Sequence, residues 1–311
     1  MTAFHHVSVL PQEAVDALAV RPDGIYLDGT LGGAGHSARI AAQLDTGLLI
    51  GVDRDPKALA AAAERLAPWA DRVKLVHSNF RELDAILDGL GIPAVDGILL
   101  DLGVSSPQLD EADRGFSYMA DAPLDMRMDP ADPLTAWEIV NTWPQEELRR
   151  ILFTYGEERY APLIAAAIVR RREQAPIEST LALVDLIRSA MPQKALREKQ
   201  HPAKRSFQAI RIAVNDELGA VDAVMRQAVD RLKPGGRLAV ITFHSLEDRI
   251  VKNSMAEAVR GCTCPPEFPV CVCGKKPKLK LVARKPITAS EAELEANPRA
   301  RSAKLRVAER I

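Results

Sequence analysis

The sequence predicts an α/β protein with a doubly wound sheet. Four short apolar runs alternate with segments of helical periodicity in the first third of the chain, which is the pattern of consecutive β-α units. The runs begin at Gly24, Leu48, Val73 and Val95. A glycine-rich loop follows the first run and a carboxylate ends the second, which is typical of sheets that bind ligands at the carboxyl ends of their strands.

Composition places the chain among ordinary globular proteins. Its 311 residues, 47% of them hydrophobic, can bury a substantial core. The sequence has no run of about 18 apolar residues, the length that a bilayer requires. Residues 1–10 lack the basic start and apolar stretch of a secretory signal. We therefore expect a soluble, cytoplasmic protein that makes no use of a membrane.

The net charge of −1 conceals an uneven distribution. Residues 275–311 carry eleven Lys or Arg against four Asp or Glu, so a basic tail follows an acidic body. Such a tail either neutralises the phosphates of a nucleic acid or forms solvated surface, and composition alone does not separate the two.

The glycine-rich loop, residues 28–35, reads Asp-Gly-Thr-Leu-Gly-Gly-Ala-Gly and leads from a strand into a helix. Glycines there allow close approach of the backbone to a ligand, although a purely structural tight turn has the same composition. Asp53 ends the second strand about 20 residues further on, where a carboxylate accepts the ribose hydroxyl hydrogens of a nucleotide-like cofactor.

Two cofactors, NAD and S-adenosylmethionine, fit a ribose carboxylate of this kind. Nicotinamide enzymes cradle a pyrophosphate with Gly-x-Gly-x-x-Gly, whereas S-adenosylmethionine has no phosphate and tolerates looser loops such as this one. The polar and aromatic end of the third strand, residues 77–80, suits an adenine pocket. The methyl donor is favoured.

Beyond the fourth strand, residues 101–110 (Asp-Leu-Gly-Val-Ser-Ser-Pro-Gln-Leu-Asp) resemble a motif of the RsmH (MraW) methyltransferase family. Further strings match the family in order, at residues 114–118, 123–129, 155–159, 201–211, 243–249 and 297–306. The resemblance extends from His6 to the C-terminus, so the chain is identified as a member.

This resemblance implies a class I, Rossmann-like, S-adenosylmethionine-dependent methyltransferase core formed by residues 1–110 and 206–311. A helical insertion for substrate recognition, residues 111–205, interrupts the core. The sequence agrees, because helical periodicity marks segments 145–153, 161–173 and 180–191. The core then resumes with a helix around 214–231, a turn at 233–236 and a fifth strand at 237–243.

The family's cofactor contacts transfer to matching positions of this chain. They are Gly33, Ala34, Gly35, His36, Asp53, Phe80, Asp101 and Gln108. Two of these residues have structural alternatives: His36 as a capping residue at a helix N-terminus, and Phe80 as a core aromatic.

The resemblance implies methylation of the N4 amine of one cytosine in the decoding centre (P site) of 16S ribosomal RNA. That nitrogen is a poor nucleophile, so the site must orient it and accept its hydrogen bonds. Ser105, Ser106 and Pro107 occupy the place of the Asp/Asn/Ser-Pro-Pro-aromatic loop of amino-methylating enzymes, but lack its second proline and its aromatic residue. Asp101 or a backbone carbonyl is therefore a rival acceptor. His244 could relay a proton, contact RNA phosphate or donate to a carbonyl.

The implied partner is 16S ribosomal RNA within the small ribosomal subunit, bound by a monomer or a homodimer. Cations for its backbone are expected at Lys204, Arg205, Arg211 and Arg249, with Lys199 and His201 close to the first three in sequence. A stacked base would have to be splayed out to reach the methyl group, which the helical insertion would assist.

All four cysteines lie in two Cys-x-Cys turns, Cys262 with Cys264 and Cys271 with Cys273. Four thiolates so spaced suit a structural zinc ion, with free thiols or a disulfide as alternatives, and no catalytic part is expected for them.

Three other classes of protein compete with this interpretation. A nonenzymatic RNA-binding protein should have lost the loop glycines or Asp53, which are present. A nicotinamide oxidoreductase should contain a hydride-transfer site, which is not recognisable. A methyltransferase that acts on DNA or on another RNA position stays open at this stage.

Overall fold

A computed structural model describes residues 8–262, 264–265, 267–270 and 272–311. The chain divides into two compact units: unit 1, Met1–Gly103 with Leu218–Ile311, and unit 2, Val104–Glu217. Unit 2 thus extends further at both ends than the expected insertion, 111–205. The reason is packing, because Leu109 and the helix that contains Phe207 and Ile210 contribute to the apolar cluster of unit 2.

Unit 1 contains a seven-stranded sheet of order β3-β2-β1-β4-β5-β7-β6. Its strands are β1 (Ile25–Asp28), β2 (Leu48–Asp53), β3 (Val73–His77), β4 (Val95–Asp101), β5 (Leu232–Thr242), β6 (Leu279–Leu281) and β7 (Lys304–Arg310). The first five strands run parallel, while β7 is antiparallel to β5 and to β6. The predicted doubly wound, Rossmann-like sheet is confirmed.

Helices follow the strands and fill unit 2. They are α1 (Pro11–Leu18), α2 (Gly35–Ala41), α3 (Pro56–Leu66), α4 (Leu83–Gly89), α5 (Ser106–Asp110), α6 (Ala136–Thr142), α7 (Gln145–Thr154), α8 (Ala161–Arg172), α9 (Thr180–Ala190), α10 (Gln193–Leu196), α11 (Lys204–Asn215), α12 (Glu217–Arg231), α13 (Ser245–Val259) and α14 (Glu291–Ala296). Among the described residues, none of these helices is both long enough and apolar enough to cross a bilayer.

Apolar clusters cover both faces of the sheet. Leu49 of β2 packs in a cluster with residues of α1 and α2, whereas its neighbour Ile50 packs in a second cluster with residues of α4 and α12. This alternation is the period-2 pattern of a strand that is buried on both sides.

Two expectations around β5 have different outcomes. Val95 pairs with Leu232 and Gly97 with Arg237, so residues 233–236 loop out opposite a single residue of β4, and the predicted turn lies there. The expected helix over 214–231 is wrong at its start. α11 ends at Asn215, Asp216 adopts a left-handed conformation with φ 46°, and α12 begins at Glu217.

Unit 2 is helical, as predicted. α7, α8 and α9 coincide with segments 145–153, 161–173 and 180–191 to within one residue at each end. Their apolar faces form one cluster with α11, which gives the unit its own core.

Asn215 links the end of α11 to the segment 123–129. Its buried side chain accepts from the Met128 N–H at 2.8 Å and donates to the carbonyl oxygens of Met126 at 2.8 Å and Arg211 at 2.9 Å. Met126 has φ 61°, a conformation that costs a non-glycine residue free energy. The Asn215 amide therefore stabilises a strained segment.

We expect Asn215→Ala to lower the free energy of unfolding by about 2–4 kcal/mol, because it leaves buried backbone groups unpaired. Trp137 and Trp143 lie in unit 2, so urea unfolding followed by tryptophan fluorescence reports the change. The control Thr154→Ala, at an exposed position on α7, should stay within about 0.5 kcal/mol of the wild type. Equal losses in the two variants would contradict the role given to Asn215.

Candidate active site

Three carboxylates meet at the carboxyl edge of the sheet in unit 1. Asp28 of β1 pairs with Gly51 of β2 on one side and with Leu99 of β4 on the other. Asp53 and Asp101 therefore each lie two residues beyond the partners of Asp28. Because the strands are parallel, their ends form one edge, and sheets of this kind bind ligands at that edge.

The glycine-rich loop is fastened to β2. The Leu31 N–H donates to the Val52 carbonyl at 3.0 Å, and the Gly32 N–H donates to Asp53 Oδ2 at 2.8 Å. Gly32 has φ 47° and Ala34, the N-cap of α2, has φ 56°. The left-handed turn thus brings Gly33, Ala34, Gly35 and His36 to the start of α2, beside the ends of the central strands.

Asp53 is held by backbone donors on both carboxylate oxygens. Besides Gly32 on Oδ2, the Asp55 N–H donates to Oδ1 at 2.9 Å. Burial raises the pKa of Asp53 to about 6; the two hydrogen bonds oppose this rise, and the charges of Asp55 and Asp28 add to it. Each carboxylate oxygen accepts more than one hydrogen bond, so the group can still receive ribose hydroxyls.

Asp28 is a site residue that the sequence analysis did not assign. It is buried, its Oδ1 accepts from the Thr30 N–H at 3.1 Å, and its Oδ2 accepts from the Ser37 hydroxyl at 2.7 Å. Burial raises its pKa. The sequence could have indicated this residue, because Asp28 is the last residue of its strand, as Asp53 and Asp101 are the last residues of theirs.

Asp101 presents an unsatisfied oxygen. Its backbone N–H donates to the Thr30 hydroxyl at 2.6 Å, but its buried Oδ1 has no hydrogen-bond partner among the residues that the structure describes. Burial raises the pKa of Asp101 well above its usual value, and the charges of Asp28 and Glu247 raise it further. A buried oxygen without a partner costs free energy, which a bound ligand with a donor or a positive charge would recover.

His36 is a neutral, buried neighbour of Asp101. Its Nε2 lies 2.9 Å from the Val9 carbonyl, so this nitrogen carries the hydrogen and donates. Burial lowers the pKa of His36 to about 4, and the unprotonated Nδ1 lies 3.7 Å from Asp101 Oδ2. The alternative interpretation of His36 as a helix cap is wrong, since Ala34 is the N-cap of α2 and no side chain caps that end.

The histidine that does cap a helix is His244. Its Nδ1 accepts from the Glu247 N–H at 3.4 Å at the start of α13, and the Glu247 carboxylate accepts from the Phe243 N–H at 2.8 Å. Glu247 is buried, and it is the residue whose charge helps to raise the pKa of Asp101. The ring of His244 is thereby oriented, and its proposed part in proton transfer stays a prediction.

Phe80 borders the site and also contributes to the core. It lies half-buried in a short 3-10 turn after β3 and packs against the cluster of α4 and α12. A Cβ placed on Gly29 would lie 3.1 Å from the Phe80 Cβ, so the aromatic residue stands beside the start of the loop. Both of its expected roles are compatible with this position.

The predicted residues that follow Asp101 belong to unit 2. Ser105 precedes α5, Ser106 and Pro107 form its first turn, and the buried side chain of Gln108 accepts from the Ser105 N–H at 3.1 Å. This contact gives Gln108 a capping role within unit 2. Its cofactor contact, and the catalytic part of the two serines and the proline, stay predictions.

The four basic residues that were predicted to bind RNA have different surroundings in the structure. Lys204 is exposed at the start of α11, while Arg205 donates to the Glu157 carbonyl at 3.2 Å. Arg211 is largely buried and donates twice to the Glu217 carboxylate, at 2.8 and 2.9 Å. Arg249, on α13 of unit 1, is exposed. Arg211 thus already serves an internal ion pair.

Comparison with known proteins places these features in a family. The sequence model of the MraW methylase family matches residues 3–311. The chain is 60% identical over 310 residues to the ribosomal RNA small subunit methyltransferase H of Heliobacterium mobile, covering 99% of each chain. It is 60% identical over 315 residues to the protein of the same description from Paenibacillus sp. (strain JDR-2), covering 99% of this chain and 100% of the relative. Among solved structures, an rRNA methylase from Streptococcus thermophilus aligns with a TM-score of 0.44 at 11% identity over 98% of each chain.

Proposed function

Because this chain belongs to the MraW methylase family and is a methyltransferase, we propose that it transfers a methyl group from S-adenosylmethionine to 16S ribosomal RNA. The acceptor is the N4 amine of one cytosine in the decoding centre (P site), within the small ribosomal subunit. The names of the relatives support the RNA, and the resemblance of residues 101–110 to the family motif supports the cytosine.

The group of carboxylates at the sheet edge is the observation that favours S-adenosylmethionine as the cofactor. Burial raises the pKa of Asp28, Asp53 and Asp101, so each is costly to ionise without a nearby positive charge. S-adenosylmethionine carries a sulfonium, an ammonium and one carboxylate, so its net charge is positive, and it has no phosphate. A pyrophosphate would add negative charge to this edge, which disfavours a dinucleotide.

Each site residue has a proposed part in holding the donor. Asp53 accepts the ribose hydroxyls, Phe80 borders the adenine, and the loop contacts the amino-acid portion. The remaining proposed contacts are Gly33, Ala34, Gly35, His36, Asp101 and Gln108.

The reaction is an in-line displacement. The cytosine N4 lone pair forms a bond to the methyl carbon, the carbon–sulfur bond breaks, and its electron pair leaves with the neutral thioether. The methylated nitrogen then loses one proton to solvent. N4 needs hydrogen-bond acceptors to become a better nucleophile, and we assign this task to Asp101, with Ser105, Ser106 and Pro107 as the loop that orients the base.

Donor binding prepares Asp101 for that task. A carboxyl group whose pKa is raised tends to hold a proton and then donates on that oxygen instead of accepting. The positive charge of the bound donor lowers the pKa of a nearby carboxyl and favours the ionised, accepting form. This order predicts that the donor binds before the base is activated.

The proposal is tested by methyl transfer from radiolabelled S-adenosylmethionine to small ribosomal subunits that lack the modification. We expect N4-methylcytidine at a single position, identified by mass spectrometry of the digested RNA. Label at another position, or only on DNA, would overturn the proposed substrate while leaving the methyltransferase assignment intact.

Donor binding should depend on the ionisation of Asp53. Its pKa of about 6 in the free protein means that affinity for S-adenosylmethionine falls as pH drops below about 6, by up to about tenfold per pH unit. Calorimetry between about pH 5 and pH 8 measures this change. Asp53→Asn should bind weakly and lose the part of this dependence that Asp53 causes, and the control Asp45→Asn, at an exposed position before β2, should match the wild type. Unchanged affinity in Asp53→Asn would refute the ribose assignment.

Lys204 should contact an RNA phosphate. For Lys204→Ala we expect weaker binding to small subunits and a slope of log affinity against log salt that is smaller by about 1. Fluorescence anisotropy at several salt concentrations gives the slope. The control Arg170→Ala removes an exposed cation of α8 in the same unit. An identical slope in wild type and Lys204→Ala would exclude this contact.

A further inference from the structure

We propose that Cys262, Cys264 and Cys273 bind a structural zinc ion that closes the loop between α13 and β6. The site lies in unit 1 and takes no part in methyl transfer. Its metal is a thiophilic divalent cation, for which thiolate sulfur is the preferred ligand.

The spacing of the three sulfurs suits a shared metal ion. All three Sγ atoms lie within 4.8 Å of one another, and those of Cys262 and Cys273 are 3.7 Å apart. Zinc–sulfur bonds of about 2.3 Å in a tetrahedral site place the sulfurs about 3.8 Å apart. A disulfide requires about 2.05 Å, so the sulfurs of Cys262 and Cys273 are not bonded to each other.

Backbone donors already point at the sulfurs. The Cys264 N–H donates to Cys262 Sγ at 3.3 Å, and the Val272 N–H donates to Cys264 Sγ at 3.3 Å. Hydrogen bonds to sulfur favour the thiolate, which is the form that binds metal, and they orient it. Gly274 follows Cys273 with φ 64°, a left-handed conformation that turns the chain directly after the ligand.

The loop is closed at its base, and its described apolar side chains are exposed. The Lys278 N–H donates to the Ala258 carbonyl at 2.8 Å. Between these residues, the side chains of Phe268, Val270 and Val272 are 51%, 70% and 73% exposed. The described residues of this segment form no regular structure and bury no side chain, so the segment needs another source of order, which a metal cross-link supplies.

The proposal rests on these three thiols. Cys271, which the sequence analysis counted as a fourth ligand, lies outside the described residues.

The test uses the full-length protein, purified under reducing conditions in the presence of zinc. We expect one equivalent of zinc per chain by inductively coupled plasma mass spectrometry, and the visible absorption of tetrahedral cobalt thiolate after exchange with Co²⁺. The double variant Cys264→Ser/Cys273→Ser should lose the metal and become sensitive to protease in residues 259–277, while its affinity for S-adenosylmethionine is unchanged.

A matched control removes a neighbouring side chain that is not a ligand. Val272→Ser keeps the backbone donor to Cys264 and should retain the full equivalent of metal. The proposal is overturned if the wild type holds no stoichiometric metal or if the double variant retains it.

Discussion

The register of β1 between β2 and β4 is the constraint on which the site depends. It fixes Asp28 beside Gly51 and Leu99, and so determines where Asp53 and Asp101 lie. A shift by one residue would turn every side chain of the strand to the opposite face. The apolar clusters on both faces of the sheet exclude such a shift, since Tyr26 and Leu27 of β1 would exchange environments. Core packing thus positions the carboxylates.

Burying carboxylates opposes stability, and the protein compensates unequally. Asp28 and Asp53 receive hydrogen bonds on both oxygens, whereas the Oδ1 of Asp101 receives none within the described chain. The pKa values of all three carboxyl groups are raised because burial disfavours their charged forms. A cationic ligand would lower the cost at this edge, so that donor binding and stability are linked through the same charges.

Family motifs in unit 2 combine structural and surface residues within one string. In the segment 201–211, Lys204 is exposed, while Arg211 is committed to Glu217 and Phe207 to the core. Asn215, four residues beyond, holds the strained backbone of Met126. A match to such a string identifies the family. Only the contacts of each side chain show which residues maintain the fold and which remain exposed for RNA.

The sequence by itself determined the strand and helix pattern, the helices of unit 2 and the strand-end position of Asp53, because local periodicity and turn chemistry set these features. Tertiary structure decided the contact of His36 with Val9 and the unpartnered oxygen of Asp101, whereas the cap formed by His244 and the break at Asp216 are local features that the sequence analysis did not identify. The His36 contact depends on a partner 27 residues away, and the Asp101 backbone likewise contacts Thr30, 71 residues away. Such partners become neighbours only when parallel strands align, which no local pattern encodes.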